Sequence, residues 1–130
     1  MLPRDLPLTD TNISIPVTTG NPIATRVAGR DWADLSEQLD SRGFAINHRL
    51  LSVDACRGVR EHYHEDHLYR SRVVMQRLGF GQGEYKYFRY PLPPLVIGLR
   101  KHFYPVLASI ANHWNWVMKL AEQFPPGHEQ

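Results

Sequence analysis

The stretch Ser71–Pro94, SRVVMQRLGFGQGEYKYFRYPLPP, decides what kind of fold this chain adopts. Val73, Met75 and Arg77 alternate against Val74 and Gln76. Beyond the glycines, Tyr85, Tyr87 and Arg89 alternate against Lys86, Phe88 and Tyr90. Side chains that alternate with period two belong to a strand with two different faces, so the stretch predicts two strands around a glycine turn. Pro91, Pro93 and Pro94 end the second strand, because proline has no N–H to give to a ladder. One face of this hairpin is expected in the core and the other in water.

The glycines admit a second reading, as a phosphate loop. A dinucleotide-binding loop needs three glycines opening into a helix, whose first amides hold the pyrophosphate. Here Gly81 and Gly83 open into Glu84-Tyr85-Lys86-Tyr87-Phe88, which has strand composition, and Glu84 would repel phosphate. The hairpin turn is the better reading.

Working outward, helical signals flank the hairpin. Asp31 can cap a helix carrying Trp32, Leu35 and Leu39 at helical spacing, and Gly43 is a natural terminator. Phe44–Leu51 follows as a short predicted strand. Ser52 can cap a second helix with Val53, Cys56, Val59 and Tyr63 on one stripe. After the hairpin, Leu95, Leu99, Phe103, Leu107, Ile110, Trp114 and Val117 form one side of a long helix that Pro105 should break into two. The fold class is therefore α+β. Its two hairpin strands are too few for a self-sufficient sheet, since two strands alone are marginal in water.

The 130 residues suffice for one domain, and 42% hydrophobic with 22% charged residues is ordinary globular usage. Residues 1–27 read as a flexible arm rich in Pro, Thr and Asn, 28–124 as the ordered region, and 125–130 as a loose tail. The net charge of +2 does not announce a nucleic-acid binder. Residues 57–102, however, hold nine Lys/Arg against four Asp/Glu, a basic middle that could meet an anion or simply be a solvated face. A single cysteine, Cys56, cannot form an intrachain disulfide, and no apolar run approaches the ~20 residues of a membrane span. A soluble, cytoplasmic protein with no membrane partner is expected.

Three constellations invite a chemical reading. His64-Glu65-Asp66 is an H-x-D triplet, as in the iron site of non-haem oxygenases. Near a helix end, residues i and i+2 point about 200° apart, so the triplet is read as a polar helix terminus and no metal ligand is assigned. Cys56 lies on the apolar stripe and reads as a buried thiol, and His113 reads as part of a packed helix. The basic-aromatic strand fits single-strand recognition in outline, with tyrosines stacking on bases while Lys86 and Arg89 meet phosphates. A small nucleic-acid-binding module using strand 84–90 is thus one functional reading.

The block Ser71–Val96 and its continuation Tyr104–Asn115, YPVLASIANHWN, also resemble the N-terminal region of a bacterial family of Fe(II)/2-oxoglutarate-dependent oxygenases. The resemblance spans about residues 31–120. Leu78 departs from it, standing where the family is associated with a histidine. The resemblance implies AlkB-like oxidative removal of alkyl damage from DNA. It also implies a double-stranded β-helix (jelly roll) preceded by helices and a hairpin. In that family an H-x-D pair, a distal histidine and a basic 2-oxoglutarate anchor all follow the region seen here. His64-Glu65-Asp66 falls at an acidic helix end instead and does not inherit the ligand role.

The resemblance therefore implies the N-terminal portion of a dioxygenase whose barrel is absent from this chain. Fe(II) and 2-oxoglutarate belong to the complete enzyme, and no activity or cofactor is expected for the chain alone. Arg72, Tyr85, Lys86, Tyr87 and Arg89 are the residues expected on the substrate or cofactor side. Nucleic acid is the expected partner, and strand edges left open would favour self-association.

Overall fold

The structure, a computed structural model, describes residues 22–128. The order is α1 (Ile23–Ala28), α2 (Trp32–Arg42), α3 (Val53–Glu61), β1 (Tyr69–Val74), β2 (Glu84–Phe88) and α4 (Pro94–Val117). The strands form one two-stranded antiparallel sheet. The architecture is mixed α+β.

The capping chemistry falls where the sequence puts it. The Asp31 carboxylate accepts from the Asp34 amide at 3.0 Å, and the Ser52 hydroxyl accepts from the Ala55 amide at 3.1 Å. Each satisfies one of the orphan amides at a helix start. Gly43 closes α2 at φ 78, a conformation that costs an L side chain about 1–2 kcal/mol.

α4 is the spine of the helical part. Ile23 of α1 packs over Gly98, where a Cβ would meet the Ile23 side chain at 3.7 Å. The indole N–H of Trp32 donates to the Val27 carbonyl at 2.9 Å, and its ring meets Phe103 edge-on at 5.7 Å. Trp114 of α4 donates to the Asp40 carboxylate of α2. Val27, Leu35, Leu95 and Ala108 are buried from these three helices, and Ala55 and Tyr69 from α3 and β1.

The segment after α4 folds back along it. Asn112 and the Phe124 backbone exchange two hydrogen bonds, at 2.9 and 2.7 Å, so a side-chain amide imitates a strand partner. Buried Asn115 donates to the Glu122 carbonyl at 2.9 Å. Residues 125–128, assigned from sequence to a loose tail, reach the middle of α4. There Arg100 meets His128 at 2.8 Å, and the Tyr104 ring meets the His128 ring edge-on.

Five sequence expectations need correction. Residues 23–27, assigned to the flexible arm, belong to α1; residues 1–21 of the arm lie outside the described residues. Phe44–Leu51 forms no strand: the Arg26 and Arg30 guanidiniums take the carbonyls of His48, Arg49 and Leu50, which a ladder would have used.

The first hairpin strand ends at Val74 rather than continuing to Arg77. Met75–Leu78 turn as a 3₁₀ segment, and the Met75 amide already closes on the Gly83 carbonyl at 3.0 Å. In α3 the buried residues are Ala55 and Gly58, while Val53 and Cys56 are exposed, so the stripe was read one step out of phase. Pro105 does not divide α4. It and Lys101 are both exposed, so the carbonyl that loses its helical donor lies on the solvent side.

Two glycine substitutions separate these roles. Gly98→Ala should stabilise the protein by about 0.5–1 kcal/mol, because a methyl there makes ordinary contact and α4 gains helix propensity. Gly43→Ala should destabilise by about 1–2 kcal/mol because of its left-handed backbone. Thermal melts of the two variants check both signs; a destabilised Gly98→Ala would mean that the added methyl does not fit beside Ile23.

Candidate functional site

The hairpin carries all five residues expected from sequence to face a substrate, and the sheet divides them. In the register, Arg72 opposes Lys86, Val73 opposes Tyr85, Ser71 opposes Tyr87, and Tyr69 opposes Phe88 across an irregularity between Tyr69 and Ser71. Arg72, Glu84, Lys86, Phe88 and Tyr69 therefore lie on an inner face, and Tyr85 and Tyr87 on the outer one. The Arg89 amide extends the ladder to the Leu68 carbonyl at 2.8 Å, so alternation puts Arg89 on the outer side. The glycine run is the expected turn: Gly79, Gly81 and Gly83 all have positive φ and lead straight into β2.

On the inner face Lys86 is enclosed, with its side chain only 6% exposed. Its ammonium donates to Asp66 Oδ1 at 2.7 Å and to the Tyr63 carbonyl at 2.8 Å. The Tyr63 and Tyr69 rings lie around it, with centroids 4.5 and 5.1 Å from Nζ. Two of the three ammonium donors thus have oxygen acceptors, and π faces surround the rest. Tyr69 in turn stacks on Phe88 at 4.9 Å and donates its hydroxyl to the His62 carbonyl at 3.2 Å.

A second polar cluster adjoins it. Arg72 Nε donates to Glu84 Oε2 at 2.7 Å, with a further Arg72–Glu84 contact from the guanidinium, and the Tyr63 hydroxyl donates to Glu84 Oε1 at 3.0 Å. Tyr63 therefore joins the two clusters through its carbonyl, ring and hydroxyl. These contacts set the ionisation of the carboxylates. The Lys86 hydrogen bond and charge hold Asp66 below the usual carboxylate range. Arg72, followed by Tyr63, does the same for Glu84. Removal from water, reinforced by Glu84, raises the Tyr63 phenol.

The outer face is built differently. Tyr85 and Tyr87 are 42% and 47% exposed and meet edge-on at 5.5 Å. The Arg70 guanidinium lies 5.5 Å from the Tyr87 ring centroid. A hydrogen bond that the Tyr85 hydroxyl donates to Tyr87 favours its protonated form and raises the Tyr85 phenol.

Sequence reasoning missed Tyr63, Asp66, Tyr69 and Arg70 as part of this arrangement. Tyr63 was placed on a helical stripe, but α3 stops at Glu61 and a 3₁₀ turn carries Tyr63 to the sheet. Arg70 lay before the expected strand start, and the irregularity at Tyr69/Ser71 breaks the period of two that could have placed it.

The H-x-D triplet lies across two 3₁₀ turns, with His64 ending the first and Asp66 opening the second. Asp66 is held by Lys86, and Glu65 lies between His62 Nδ1 at 2.6 Å and His67 Nε2 at 3.7 Å. Among the described residues no group of three or more His, Cys, Asp or Glu is placed to hold a metal. No helix among them is long and apolar enough to cross a membrane.

The depressed carboxylates make hairpin stability depend on pH in a defined direction. Their folded-state values lie below the unfolded ones, so the stabilisation is present above the ordinary carboxylate range and is lost as pH falls through the folded values. Tyrosine near-UV circular dichroism should fade as pH drops below about 4. The double variant Asp66→Asn/Glu84→Gln should lose most of that dependence; an unchanged acid transition would place its origin outside the hairpin.

Comparison with known proteins adds one family to this geometry. No curated protein and no solved structure matches the chain. Residues 83–130 match the sequence profile of a family described as "Oxygenase, catalysing oxidative methylation of damaged DNA". The matched region contains β2, with Tyr85, Lys86 and Tyr87, and all of α4. The similarity to this family therefore falls on β2 and α4.

Proposed function

We propose that this chain is the N-terminal portion of an Fe(II)/2-oxoglutarate-dependent dioxygenase whose reaction is oxidative dealkylation of damaged nucleic acid. The observation that carries the reading is the family match over β2 and α4. The surface supports it. Leu78 and Phe80 at the hairpin turn, and Trp116, Val117, Met118 and Leu120 at the end of α4, are all more than half exposed. Among the described residues, each strand of the two-stranded sheet also has one unpaired edge. Exposed apolar surface and open edges call for further structure, and the jelly-roll barrel of the complete enzyme is the partner that would cover them. The same edges offer a route to self-association. The lone thiol of Cys56, exposed on α3, fits a reducing cytoplasm.

In this reading the iron and 2-oxoglutarate are held by the barrel, and this chain's contribution is support. Lys86 and Arg72 fix the hairpin from its inner face, and the outer face is left for substrate.

Activity measurements test the reading in two arms. The chain supplied with Fe(II), ascorbate and 2-oxoglutarate should form no succinate above the protein-free rate; turnover would overturn the support role. Fused to the barrel of a complete family member in place of that member's own N-terminal region, it should restore 2-oxoglutarate turnover stimulated by alkylated DNA. A folded fusion with an occupied iron site but no turnover would overturn the family role.

A further inference from the structure

We infer that the outer face of the hairpin, formed by Arg70, Tyr85, Tyr87 and Arg89, is a stacking platform for single-stranded nucleic acid. The choice of nucleic acid among ligands for such a face rests on the functional reading above; the platform itself rests on geometry.

The hairpin sorts its charges by face. On the inner face each cation has an anion: Lys86 has Asp66 and Arg72 has Glu84. Glu65, the remaining acid of the preceding turn, lies between His62 and His67. On the outer side neither Arg70 nor Arg89 has a carboxylate partner among the described residues. Arg70 lies instead against the Tyr87 ring. The exposed side of the sheet therefore offers two aromatic rings and two uncompensated cations, and phosphate is the complementary charge.

Spacing favours a single strand over a duplex. The Tyr85 and Tyr87 rings, two positions apart on one strand face, have centroids 5.5 Å apart and meet edge-on. Bases in a duplex strand are about 3.4 Å apart and keep their faces covered by their neighbours. Rings wider apart than that and nearly perpendicular do not match the parallel base column of a duplex; they suit a strand whose bases are already unstacked and free to tilt, and every base has a π face to offer. Recognition of this kind tolerates sequence, so the platform should hold a strand without selecting one.

The arrangement also explains why Lys86 is buried. A lysine on the outer face would serve phosphate directly; here its charge is spent on the inner face, where it fixes the strand that displays the two tyrosines.

Fluorescence anisotropy with the full chain and a labelled oligothymidylate of about ten nucleotides tests the inference. The wild-type chain should bind, and binding should weaken as salt rises from about 50 to 200 mM. Tyr85→Ala/Tyr87→Ala should weaken binding by about tenfold or more, and Arg70→Ala should lower the salt dependence. Tyr85→Phe/Tyr87→Phe keeps the rings and should bind as wild type, which separates lost stacking from lost folding. Arg57→Ala, a cation paired with Asp54 on α3, should change nothing.

Absence of binding at low salt would overturn the platform. So would equal affinity for a duplex of the same length, or an alanine double variant that binds normally while circular dichroism shows it folded. None of these outcomes touches the fusion-turnover arm above, so the platform and the oxygenase reading can fail separately.

Discussion

The ammonium group of Lys86 is the point on which the hairpin depends. A two-stranded sheet has little stability of its own in water. This one is tied to the rest of the chain by a cation enclosed between the Tyr63 and Tyr69 rings, with the Tyr63 carbonyl and Asp66 as its oxygen acceptors. A desolvated cation–π contact is worth about 2 kcal/mol, a large share of what a small sheet has. The ion pair itself contributes less, because Asp66 is 86% exposed and solvent screens its attraction. Its larger role is to leave the buried ammonium with no unmet donor.

Tyr63 extends this constraint to the start of β2. Its hydroxyl reaches Glu84, which also receives Arg72, so both strands and the preceding 3₁₀ turn share one network. The helical part has a different organisation. There α4 carries α1 through Gly98, α2 through Trp114 and Asp40, and its own C-terminal extension through Asn112 and Asn115. The family match covers β2 and α4, one main element from each part.

Much of this was legible in the sequence where local chemistry decides the outcome. Asp31, Gly43 and Ser52 act where their side chains or φ preference act within three residues. The alternation in Tyr85–Phe88 separates inner from outer faces because the pleat has period two. What stayed hidden depends on distant partners. Phe44–Leu51 has strand composition, but its carbonyls are taken by Arg26 of α1 and by Arg30 just after it, about twenty residues away and beyond any local pattern. Cys56 looked buried because a stripe read from Val53 is equally periodic when rotated by one position. Only packing shows that Ala55 and Gly58 face inward. The five residues expected on the substrate side all fall on the hairpin, but their division between two faces and the contacts of Tyr63 and Arg70 depend on the irregularity in β1 and the end of α3.

If the inner-face cage fixes the hairpin, its loss should be local. Amide hydrogen exchange on Lys86→Met, a substitution that keeps the side-chain stem and removes the charge, tests this most directly. Exchange should accelerate at the ladder amides of β1 and β2, including those of Met75 and Arg89, while α4 and the amides of α1 keep their protection. Unchanged protection in the hairpin, or an equal loss throughout the chain, would contradict the central place given to Lys86.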